Sequence, residues 1–346
     1  MRALVIAVVL VACGTSSKPA PEPTPAVAAS NVHVDRRVEL ISIVCALAGF
    51  KEYTLGQVNP YRTDVVQAFR TFVQHPAVVR ARELRAQHGI GYDAPMILAV
   101  HLDDQLQLFN AAELPHIDAR WADVDVAAYA ALLRDFARDT KLDEFLAAHR
   151  AHYTKVEDAL RGAVDAEKPI AWFDAVFGKR AHARYTVIPS PMTGTYNFGV
   201  RATTADGTLE MYQLIGVDTP TGLPVIDDDL VWLLVHEMAH SYINPALAEH
   251  EAELAAPAQK LFAKVEREMT AQAYGKWQIF LNEAVVRATT VRYLRDRKGA
   301  AAADAVLAKE LERGFRWTRE LAELMAAYQQ DHQDYVPRLV ALLGSV

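Results

Sequence analysis

DDDLVWLLVHEMAHSYINP, residues 227–245, reads as a buried helix with two histidines and a glutamate in its apolar middle. Asp227, Asp228 and Asp229 suit the capping position and the positive end of such a helix. Asn244-Pro245 predicts its stop. His236 and His240 stand four residues apart, one turn up the same face, so both imidazoles can meet one ion. Glu237 then falls beside that ion, within reach of a water on it. Two unpartnered imidazoles and a carboxylate in an apolar interior would cost several kcal/mol, and a metal accounts for their placement. The H-E-x-x-H spacing predicts Zn²⁺ held by neutral imidazoles, with Glu237 as the general base.

A catalytic zinc of this kind takes a third protein ligand and keeps one position open. The helical pattern KWQIFLNEAVVRATTVRYLRDRKG, residues 276–299, carries a single acid before Arg295, namely Glu283, amid Leu281, Ala284 and Val285. That is a costly place for an unpaired carboxylate, and Glu283 is the expected ligand. The alternative is an ion pair with Arg287, four residues on. Glu249, His250, Glu251 and Glu253 are rival ligands in a more solvated segment. A third histidine six residues after His240 is absent, since position 246 is alanine. An oxyanion formed at such a site needs one side-chain donor; Tyr274, Tyr242, Tyr293, His332 and Tyr335 are the candidates.

Around this centre the chain is expected to be α+β and predominantly helical. Residues 34–177 carry mostly helical periodicity. His149 and His152, three apart, read as a solvated helix face. Residues 184–217 are rich in Thr, Tyr, Val and Ile, with Ala205-Asp206-Gly207 as a hairpin turn, and predict a small antiparallel sheet just before the key helix. From Asp228 the pattern is helical again, with breaks near Pro257, Gly275 and Gly299. Residues 31–180 and 181–346 are expected to pack as one unit. The 346 residues are about half hydrophobic, enough for a large core, and the formal net charge is -7 without a run of Lys and Arg. That pattern argues against nucleic acid as a partner.

The first residues predict targeting. An apolar run after Arg2 is too short to span a bilayer and ends at LVAC, which resembles a bacterial lipobox with Cys13 as the lipidated residue. Residues 14–30 hold four of the sixteen prolines and read as an extended tether reaching roughly 50 Å. The expected location is the bacterial cell envelope, attached by lipid alone, with Gly14 pointing to the outer membrane. Cys45, the remaining thiol, lies among core-type residues and is expected to be buried and inert.

HEMAH followed downstream by NEA resembles the gluzincin clan of zinc metallopeptidases, in which the glutamate of the second motif is the third ligand. Thermolysin-like enzymes share the Asn-Glu-Ala step, but place an acid where this chain has Arg287. VDRRVELISIVCALAGFKEY, HGIGYDAPM, YNFG, HEMAHSYINP and NEAVVRA are also similar to a poorly characterised family of secreted bacterial gluzincin-like proteins. The resemblance implies a zincin-like core and a zinc-dependent hydrolase acting on a peptide or protein, with His236, His240 and Glu283 on the metal. Two alternatives stay open: an envelope lipoprotein whose zinc is structural, and a zinc amidase acting on cell-wall peptides.

Overall fold

In the computed structural model, which describes residues 31–179, 182–331 and 335–345, most residues lie in helices and four strands form one sheet. The class is α+β, predominantly helical. The strands are β1 (Asn31–Val32), β2 (Ala183–Ser190), β3 (Phe198–Thr203) and β4 (Leu209–Gly216), in spatial order β1-β2-β4-β3. β3 and β4 form the expected antiparallel hairpin, closed by a turn in which Gly207 takes φ +78°. The sheet as a whole is mixed rather than antiparallel: β2 pairs parallel with β4, and β1 parallel with β2. The cause is topological. β3 runs back along the sheet one place away from β2, and β4 fills the gap between them in β2's direction. β1, two residues long, carries no alternating pattern that would announce it.

Strand alternation divides the sheet's two faces between two sets of helices. Phe198, Val200 and Ala202 of β3, Tyr212 and Leu214 of β4, and Ile188 of β2 join the core of the N-terminal helices, which is built on Val38, Ile41, Val44, Phe69, Leu98 and Phe136. On the other face, Gly199 lies against Glu237, and the Gln213 amide approaches Ser241 Oγ at 3.4 Å. The helix Asp228–Glu249 therefore packs across the sheet next to β3, an edge strand. Behind it, Trp277–Lys298, Ala300–Glu312, Thr318–Asp331 and Tyr335–Ser345 form a second helical core with Val235, Tyr242, Phe280, Val285 and Leu321.

Both prolines expected to mark helix breaks lie inside helices. Pro245 is in the fifth turn of Asp228–Glu249, and Pro257 in the middle of Glu251–Phe262. Each removes one backbone donor, a cost that tertiary packing of Leu247, Leu254 and Leu261 offsets. His149 is not on a solvated face. It lies between Phe145 and Tyr61, with Nδ1 on the Phe145 carbonyl and Nε2 3.2 Å from Asp64. Cys45 is buried, and burial pushes its thiol well up. No helix among the described residues is long and apolar enough to cross a membrane.

Candidate metal centre

Asp227 caps the key helix, accepting a hydrogen bond from the Leu230 amide at 2.9 Å, with Asp228 and Asp229 in the first turn. Two turns on, His236 and His240 project side by side, their Nε2 atoms 3.3 Å apart. Glu283 comes from the facing helix Trp277–Lys298. One of its carboxylate oxygens is 3.5 Å from His236 Nε2, and the other is 3.5 Å from His240 Nε2. Two donors held about 2.0–2.1 Å from a tetrahedral ion stand about 3.3–3.4 Å apart, so these separations fit one small ion shared by three side chains. Among the described residues this is the one group of three or more His, Cys, Asp or Glu side chains so convergent.

The surroundings fix the donors. His240 Nδ1 lies 3.2 Å from Asn244 Oδ1, which turns its other ring nitrogen toward Glu283. Trp232 stacks on His236 with ring centroids 4.6 Å apart. Burial drives the His236 imidazolium down to about 3, so this ring is neutral, the form that binds metal. Burial acts the same way on His240, but the Glu283 and Glu237 carboxylates outweigh it and hold its pKa up. Burial alone would raise Glu283; His240, His236 and Arg287 together hold it far below the usual carboxylate range.

Both readings of Glu283 hold at once. It faces the histidines, and Arg287 pairs with it at 2.5 Å from the next turn of the same helix. Arg287 also pairs with Glu310, so one buried guanidinium is clamped between two buried carboxylates. Its ring neighbours are Phe315 and Trp232. The Tyr274 hydroxyl donates to Glu283 at 3.2 Å and accepts from Arg287 at 3.3 Å. Tyr274 thus orients the third donor. The other candidate donors lie elsewhere. Tyr242 is stacked among Phe173, Phe177 and Tyr185, and Tyr293 donates to the Glu167 carbonyl. Tyr335 packs against Tyr328, and His332 lies outside the described residues. His250 pairs with Glu253 on the surface, and neither joins the triad.

A cleft of about 330 Å³ opens beside His240, lined by Gly199, Val200 and Arg201 of β3 and by Ser241, Asn244 and Asn282. Glu237 is half-buried, with a pKa raised to about 7 by burial and the nearby Glu283 charge. A Cβ at position 199 would come within 3.8 Å of its carboxylate and 3.3 Å of its carbonyl oxygen. Sequence reasoning passed over Gly199, because a strand glycine has many meanings. Only the crossing of β3 over the key helix gives it one.

The model of one protein family, described as "Domain of unknown function (DUF4932)", matches residues 31–339. The chain belongs to this family. The DUF4932 match takes in the whole sheet and all three convergent side chains. Searches of curated proteins and of solved structures returned no match.

Proposed function

We propose that this chain is a zinc-dependent hydrolase of peptide bonds, of gluzincin type. One observation carries the reading: a carboxylate with no place in the triad, Glu237, stands beside it under an edge strand that borders an open cleft. Two imidazoles and a carboxylate at tetrahedral spacing suit Zn²⁺, which His236, His240 and Glu283 would hold beside the cleft. When bound, zinc supplies Lewis acidity, polarising a carbonyl and acidifying water.

The residues of the chain divide the remaining work. An extended peptide adds to the free edge of β3 by backbone hydrogen bonds, which places its carbonyl over the triad. Gly199, with no side chain, lets β3 lie close against Glu237. Glu237 takes the proton of the attacking water and delivers it to the departing amine. Asn244 and Tyr274 keep the donor atoms of His240 and Glu283 aimed inward. Attachment to the bacterial envelope through a lipid on Cys13, which lies outside the described residues, would present this cleft to envelope or extracellular peptides. Cys13→Ala should then release the protein from the membrane fraction; unchanged fractionation would exclude the anchor.

The reading is tested by profiling a mixed peptide library with the zinc-loaded protein and its Glu237→Gln variant. The expected result is cleavage by the native chain and unchanged zinc content in the variant, with turnover lower by about 10² to 10⁴-fold. A native protein that binds zinc and cleaves nothing would make the zinc structural.

A further inference from the structure

A second cavity shares no lining residue with the cleft beside the triad. Its volume is about 730 Å³, inside the range of about 300–1,000 Å³ common for small-molecule sites. The walls are mostly apolar, including Ile43, Leu47, Val65, Val73 and Met192. Val58 and Val66 also line it and are largely exposed, as is Leu55 beside it. A surface that leaves such side chains together in water marks an interaction site.

Two guanidiniums line this apolar wall: Arg70 is exposed, and Arg62 is the buried one. Arg62 is 9% exposed, and among the described residues no carboxylate pairs with it within 4 Å. Its two side-chain hydrogen bonds go to neutral carbonyls, those of Tyr53 at 3.1 Å and Met192 at 3.4 Å. It lies in the first turn of the helix Pro60–Phe69, which holds no acid there, so the helix dipole adds positive potential. Asp218 and Glu39 are the acids that act on it through space. Asp218 accepts from the Gln57 amide and Glu39 from the Tyr61 hydroxyl. A guanidinium fork matches a carboxylate, and a dianion would meet repulsion from Asp218. From Arg62 to Arg70, both lining the cavity, the helix advances about 12 Å, the length of an extended chain of about ten methylenes.

We propose that this cavity binds one free fatty acid of medium chain length, its carboxylate on Arg62 and its tail along Val65, Val73 and Leu47. The site is independent of the metal and of the hydrolase reading. Equilibrium dialysis of the full chain against labelled dodecanoate and 1-dodecanol, below their aggregation concentrations, tests it. One saturable dodecanoate site per chain is expected, unchanged by chelator, with dodecanol at least tenfold weaker. Arg62→Met should cut dodecanoate affinity at least tenfold and erase the preference for the acid. Val66→Asp, at an exposed wall position, should weaken dodecanoate without altering the melting temperature, and it decides the matter if Arg62→Met does not fold. Equal binding of acid and alcohol, or unchanged affinity in Val66→Asp, would overturn the proposal. So would a dimer in sedimentation that Val66→Asp dissociates while no dodecanoate binds, since the groove would then be an interface between copies.

Discussion

Replacing Arg287 by methionine removes a cation that two carboxylates share. Arg287, Glu283 and Glu310 are each at most 6% exposed, so neither acid can turn to water for compensation. Breaking a buried pair by deleting one partner costs about 3–5 kcal/mol, most of it from the charge left behind. At about 2 °C per kcal/mol for a domain of this size, the metal-free protein should melt roughly 6–10 °C lower. Zinc offers Glu283 a new counter-charge but does nothing for Glu310. Loading with zinc should therefore recover part of the loss. Glu310→Gln in the same chain should recover much of the rest, because it removes the second buried acid, which would keep only the half-exposed Arg313 as a partner. The assay is a double-mutant cycle in thermal unfolding, run with and without zinc. An Arg287→Met loss below about 1 kcal/mol, or a loss simply additive with that of Glu310→Gln, would refute the clamp.

Three further outcomes are expected. Glu39 is fully buried, its carboxyl raised by burial from near 4.5 to about 7 while Tyr61 donates to it. The folded state then holds a proton that the unfolded chain releases. Stability from this group is intact below about pH 4.5 and is lost as pH rises through about 7, by about 3 kcal/mol. Glu39→Gln should flatten the stability difference between pH 5 and pH 8 in denaturant unfolding; an undiminished difference would place the titration elsewhere. Tyr274→Phe removes one hydrogen bond to Glu283 and should weaken zinc about tenfold in a competition titration, with the fold intact. Gly199→Val should leave zinc bound and abolish peptide cleavage, because its side chain would fill the space over Glu237; full activity in this variant would show that peptides do not pass there.

The histidine pair of the triad was legible because a one-turn spacing of two histidines is a geometric statement in itself. Glu283 was legible as a lone acid in an apolar stretch. What the letters left open was whether it meets Arg287 or the histidines, and the fold does both: Oε1 meets His236 and Arg287 together, and Oε2 meets His240. The parallel pairing of β2 with β4 was out of reach, since alternation marks a strand and not its neighbour. Pro245 and Pro257 misled for a different reason. A proline removes a donor locally, but whether the helix continues depends on what its flanking turns bury, and Leu247, Leu254 and Leu261 bury well. Tyr242 appealed by nearness to the motif, yet its ring completes an aromatic stack in the buried helical core, away from the triad. Glu310 could not be foreseen at all, lying 23 residues from the arginine it neutralises.

The account stands on three side chains sharing one ion. The direct test is the zinc retained per chain after reconstitution and desalting, measured by elemental mass spectrometry on the native protein and on Glu283→Ala. The expected result is one zinc per native chain and a clear loss in the variant, whose circular dichroism stays helical. A native chain that retains no zinc, or a Glu283→Ala variant that holds it as tightly as the native protein, would contradict the assignment.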